Sequence, residues 1–148
     1  MRPKYALIRM GDLLYEGQRD GQKDLFSAAA TYALAARRNT PQGWYNLGLL
    51  AEEGYRLPLS VLIDLGLSEL FLADDSLVLS TLYKRCRDSE DTHSYLPCSL
   101  ALFNVHLRSF QTDYSAAIKF SSTVAVIAAP AIFLILLGVL RRHTRSPT

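Results

Sequence analysis

Met10-Gly11-Asp12-Leu13-Leu14-Tyr15-Glu16-Gly17 and Leu47-Gly48-Leu49-Leu50-Ala51-Glu52-Glu53-Gly54 decide the reading of this chain. A shift of 37 residues superimposes Gly11 on Gly48, Glu16 on Glu53 and Gly17 on Gly54, and further along matches Leu25 with Leu62 and Ala36 with Ala73. Self-similarity at such a period marks a supersecondary unit that buries its apolar face against its neighbours. Both octapeptides read as the end of a helix closed by glycine, the residue that most easily takes the left-handed conformation. The first helix of each unit is therefore expected from about Tyr5 to Glu16 and from Pro41 to Glu53. Thr40 is expected as N-cap, with Pro41 at the first helical position.

Working outward, the second helix of the first unit is expected over Asp24 to Arg38, opened by a capping aspartate. Leu25, Ala28, Ala29, Tyr32, Ala35 and Ala36 fall three or four apart and share one face, where small alanines admit a close partner helix. The second unit is expected to close with a helix from Leu59 to Ala73. A third, degenerate unit runs from Ser76 to about Gln111 and contains no glycine.

Gly11 to Gly17, the Thr31-Tyr32-Ala33-Leu34-Ala35-Ala36 segment, and Trp44 through Leu47-Gly48 to Gly54 together resemble the Sel-1-like repeat. The residues that carry the likeness are Gly11, Tyr15, Gly17, Tyr32, Ala35, Ala36, Leu47, Gly48 and Gly54. It covers roughly residues 5 to 73 and implies an all-α stack of helix-turn-helix hairpins similar to tetratricopeptide arrays. Met10 replaces the leucine of the family's Leu-Gly step, and 59–73 lacks the family's tyrosine and double alanine. Combined with an apolar C-terminal run, the wording resembles the C-terminal part of membrane-anchored sel-1 homologues.

That run, Phe120 to Leu140, is uncharged, and a helix of 21 residues covers about the 30 Å of a bilayer core. All 14 acidic and 13 of the 16 basic residues precede it, whereas Arg141, Arg142 and Arg145 follow it. Net charge +2 thus divides into a near-neutral body and a basic tail, as expected for the cytosolic flank of a transmembrane helix. Four regions follow: two hairpins over 1–75, a degenerate unit and juxtamembrane segment over 76–119, a transmembrane helix over 120–140 and a basic tail over 141–148. The first nine residues lack the apolar stretch of a secretory signal. Two readings are compatible with that: the C-terminal piece of a longer secretory-pathway protein with lumenal or extracellular repeats, or a tail-anchored adaptor with cytosolic repeats. The expected location is a single-pass membrane position in the secretory pathway.

Catalytic chemistry has little to stand on. His93, His106 and His143 are the only histidines, and no glycine-rich phosphate loop, HExxH or nucleophile elbow occurs. Cys86 and Cys98, 12 residues apart across a polar connection, are a candidate disulfide; with His93 they offer too few ligands at regular spacing for zinc. The sequence calls for no cofactor, no metal and no small-molecule substrate, and its interspersed charges do not make a nucleic-acid groove. Trp44 and Tyr45 are the candidate partner contacts, since aromatics dominate binding hot spots, with packing inside the repeat as the competing role for Trp44. The expected function is a noncatalytic protein-interaction platform, in contact with lipid through 120–140.

Overall fold

The computed structural model of the chain describes residues 3–17, 21–89 and 92–143; the side chains of 3–4, 92, 121–125, 127 and 138–143 lie outside that description. Every regular element among the described residues is helical. Helix α1 (Pro3–Glu16) stops where Gly17 takes φ +69° and its N–H donates to the Leu13 carbonyl at 3.1 Å. The Asp24 carboxylate caps α2 (Leu25–Arg37) by accepting from the Ser27 N–H at 2.9 Å, and the Asp24 N–H ties this start to the Leu14 carbonyl of α1 at 3.0 Å. Helix α2 ends through Asn39 at φ +54°, with the Thr40 N–H returning to the Ala35 carbonyl at 3.1 Å. Pro41 then opens α3 (Pro41–Glu52).

The chain next departs from the 37-residue period. In place of one helix over 59–73 it forms a six-residue helix α4 (Leu59–Asp64) and a 3-10 turn (Ser68–Leu72), separated by Gly66 at φ +69°. Helix α5 (Asp75–Arg87) follows, capped by Asp74, whose carboxylate accepts from the Leu77 N–H at 3.2 Å. Helix α3 packs on α2 and on α5, and α2 on α1, so α5 stands to α3 as α2 stands to α1; α4 lies against the 3-10 turn and α2. The second hairpin is therefore α3 and α5, with 58–73 looped out between them.

Two glycine–tyrosine contacts show the equivalence. A Cβ on Gly11 would stand 2.7 Å from Tyr32 Cδ1, and a Cβ on Gly48 would stand 2.7 Å from Tyr83 Cζ. In each hairpin the first helix presents bare backbone to a buried tyrosine ring of the second. Gly43 makes the other close approach: its Cβ would lie 2.6 Å from the Tyr32 carbonyl oxygen and the Ala36 nitrogen, so α3 rides on the backbone of α2. The small residues of α2 permit this, and Ala28, Ala29, Ala35 and Ala36 are buried. The core runs on without a break through Leu47, Leu50, Leu57, Val61, Leu62, Leu67, Leu70 and Leu82, so the looped-out segment contributes apolar side chains to the stack.

Helix α6 (Thr92–His143) begins within the compact unit of residues 1–107 and continues through a second unit, 108–148. In the first unit it buries Cys98 and Val105. In the second, Phe110 and Tyr114 stack with centroids 6.1 Å apart, and the described side chains from Phe110 to Phe120 are exposed. Among the described residues no helix is long and apolar enough to cross a membrane. That finding corrects the expectation of a transmembrane helix over 120–140, and with it the single-pass membrane location and the lipid contact. Residues 144–148 of the expected basic tail lie outside the described residues, as do the side chains of Arg141 and Arg142.

Candidate functional site

Helix α3 lies between two clefts, and the residues that the sequence singles out divide between them and the core. Gly11, Gly17, Tyr32, Ala35, Ala36, Leu47 and Gly48 are buried and hold the hairpins together, whereas Gly54, at φ +86°, is exposed. Trp44 and Tyr45 are adjacent in sequence and about 100° apart around a helix, so they part company. Trp44 packs on the core cluster. Tyr45 instead lines a cleft and sets its ring 5.8 Å from that of Tyr83, tilted at 54°.

The first cleft, about 220 Å³, opens between α1 and α3 over the ring of Tyr32. A polar network forms its wall. The Tyr32 hydroxyl donates to Asp12 Oδ1 at 2.8 Å, Asn46 Nδ2 reaches the same oxygen at 3.4 Å, and Gln42 Nε2 donates to Asn46 Oδ1 at 2.8 Å. Beside it the Tyr15 hydroxyl contacts both carboxylate oxygens of Glu53, at 2.7 and 2.8 Å, linking α1 to the end of α3. Lys23 Nζ stands 4.5 Å over the Tyr15 ring. Burial, and then the bond to Asp12 and its negative charge, hold the Tyr32 hydroxyl well above the ordinary phenol range. The Glu53 bond, with a smaller contribution from burial, raises Tyr15 in the same direction. Both hydroxyls stay protonated at neutral pH and act as donors to carboxylates; neither is poised as a base.

The second cleft, about 340 Å³, lies at the opposite end of α3. Its lining comes from the first turn of α3, from Tyr5 on α1 and from the start of α6, with Cys86 and Cys98 in its wall. The two cysteines are paired, with Cα atoms 5.8 Å apart, and both are buried. The pair joins α5 to α6 at Cys86, three residues after Tyr83. In α2 the place three residues after Tyr32 is Ala35, where Gly43 of the following helix comes close. His93 lines this cleft, while His106 is exposed further along α6; the side chain of His143 is outside the described residues. Among the described residues no group of three or more His, Cys, Asp or Glu side chains is placed to hold a metal ion.

Sequence patterning passed over Asp12, Asn46 and Glu53 as bridging groups. Asp12 coincides with Leu49 under the 37-residue shift, so the repeat carries no signal that its carboxylate partners Tyr32. Tyr83 was hidden because 35 residues separate it from Gly48, against 21 between Gly11 and Tyr32.

Over 110 residues, 74% of this chain, the sequence is 31% identical to the ERAD-associated E3 ubiquitin-protein ligase component HRD3B of Arabidopsis thaliana. The chain spans 15% of the length of that protein. No family model matches the chain, and no solved structure matches it. The relative lends loose support to the Sel-1-like resemblance and to a helical-repeat role in protein interaction.

Proposed function

We propose that this chain is a noncatalytic helical-repeat module that holds other proteins, with the two clefts beside α3 as its recognition surfaces. The observation that carries the reading is the recurring glycine–tyrosine packing. It commits one face each of α2 and α5 to the interior and leaves Asp12, Tyr15, Glu16, Leu49 and Glu53 of α1 and the α3 end lining an open cleft. Tyr45 is the aromatic anchor of the second cleft, whereas Trp44 serves packing. The paired Cys86 and Cys98 act as a structural staple that fixes the start of α6 on α5. Similarity to a ubiquitin-ligase component favours partners from protein assemblies over small substrates.

Peptide display on the immobilised chain tests this. Peptides enriched over a urea-denatured control should lose binding on Tyr45→Ala or on combined Glu16→Lys and Glu53→Lys, with the melting temperature within a few degrees of the parent. Retention of all enriched peptides by these variants would refute the assignment of the clefts, and a hydrolytic activity lost with Cys86→Ala would refute the noncatalytic role.

A further inference from the structure

In the first unit, α6 turns one face inward through Cys98 and Val105, which are buried and seven residues apart. Leu96, Leu100, Phe103 and Leu107 each stand two residues from one of that pair, so they lie about 160° around the helix, on its outer face. All four are exposed, between 41% and 66%. In the second unit Phe110 and Tyr114, whose rings stack, are exposed to a similar degree, 65% and 60%. The six positions follow one another at steps of four, three, four, three and four. That is the 3.5-residue spacing of a coiled-coil seam, and it differs from the scatter of single apolar side chains that a surface ordinarily carries.

We infer that this seam is the pairing surface for α6 of a second copy of the chain. The six side chains leave about 600 Å² uncovered, from full aromatic and leucine areas of about 150–250 Å² scaled by these exposures. Two copies then bury about 1,200 Å², the size at which specific, stable interfaces begin. Knobs spaced by 3.5 residues also need holes of the same spacing. Among the described residues, α1 exposes Tyr5, Met10 and Leu13 at steps of five and three, and helices α2 to α5 expose at most two large apolar side chains each. A second α6 supplies the matching spacing by construction. Beside the seam lie Ser99, Asn104, His106, Gln111 and Asp113, too little like charge to repel a copy and no charge run to attract a strongly charged partner. No seam residue lines either cleft beside α3, so pairing leaves both clefts open.

Sedimentation equilibrium of the full chain tests this, over concentrations of about 1 to 100 µM. The parent should approach the mass of two chains, each of 16.5 kDa, at the upper end. Phe103→Glu and Phe110→Glu, taken singly, should weaken pairing about thirtyfold or more, as for loss of a central hot spot. Phe103→Gln, which adds no charge, should weaken it in the same direction. These side chains are exposed in the single chain, so circular dichroism of the dilute variants should match that of the dilute parent. Leu72→Glu, at a side chain 89% exposed on the 3-10 turn, removes as exposed an apolar group outside α6 and should leave pairing intact. A parent that stays at one chain, or that forms assemblies of more than two, overturns the proposal. So do folded seam variants that pair as the parent does, and so does Leu72→Glu if it dissociates the pair as fully as they do.

Discussion

Replacement of Gly48 by alanine separates this packing from an ordinary amphipathic helix, because the two predict effects of opposite sign. In the interior of a helix, alanine is favoured over glycine by about 0.8–1 kcal/mol, so Gly48→Ala on an unconstrained face raises stability. Here the new Cβ falls 2.7 Å from Tyr83 Cζ, roughly 0.8 Å inside the shortest comfortable carbon–carbon separation. The ring cannot easily retreat: Tyr83 is 1% exposed and already meets the Tyr45 ring on another side. Forcing a methyl into such a site costs about 1–3 kcal/mol, and with no free space the upper half of that range applies. The net expectation is a loss of about 1–2 kcal/mol, which lowers the melting temperature by roughly 5–15 °C for a unit of this size. Circular dichroism at 222 nm gives the melt, and urea denaturation gives the free energy. Tyr83→Leu closes the cycle: it removes the obstructing ring atoms, so Gly48→Ala on that background should be neutral or stabilising, with a coupling of about 1 kcal/mol or more. A rise in melting temperature for Gly48→Ala alone refutes the pairing of α3 with α5 through Tyr83, and so does strict additivity in the cycle.

Two further outcomes follow from the same contacts. Removing the Cys86–Cys98 link reopens a short loop, so reductant, or Cys86→Ala with Cys98→Ala, should lower unfolding free energy by about 2–3 kcal/mol; an unchanged urea midpoint refutes the staple. The Tyr32 hydroxyl, held protonated by burial and by Asp12, contributes stability that is fully present below the unfolded phenol value near pH 10 and lost as pH rises through its elevated folded value. Urea midpoints should therefore fall between pH 9 and 11, and Tyr32→Phe should flatten that fall while costing about 1 kcal/mol at pH 7 for the lost bond; an equal slope in the variant refutes the assignment.

The first hairpin was legible in sequence almost to the residue. Gly17 ends α1 and Asp24 caps α2 because both act within a single turn of chain, through backbone conformation and a local hydrogen bond. The second hairpin was half legible for a reason that is also physical. Leu59 to Ala73 carries enough leucine to pass for a helix, yet Gly66, at φ +69°, breaks it into α4 and a 3-10 turn. The helix that replaces it, with Lys84, Arg85 and Arg87 around Tyr83, shows none of the alanines that mark α2. The membrane expectation went astray differently: it rested on a count of uncharged residues alone, and among the described residues no helix is long and apolar enough to cross a membrane. The clefts were the least legible, since Thr40, Tyr45 and Ser94 become neighbours only after three helices have been set against one another.

Local rules sufficed for the all-helical class, the Asp24 cap, the glycine closures and the existence of a repeat, because each depends on residues within a few positions of one another and on the 3.6-residue period; the expected Thr40 cap does not form, since its side chain makes no bond to α3. Only the tertiary structure decided which helix completes the second hairpin, that Trp44 faces the core while Tyr45 faces a cleft, and that Thr40 lies buried without a partner. Those outcomes depend on where a tyrosine ring finds bare glycine backbone to rest on, and that match of surfaces 35 residues apart is not written in the spacing of either segment.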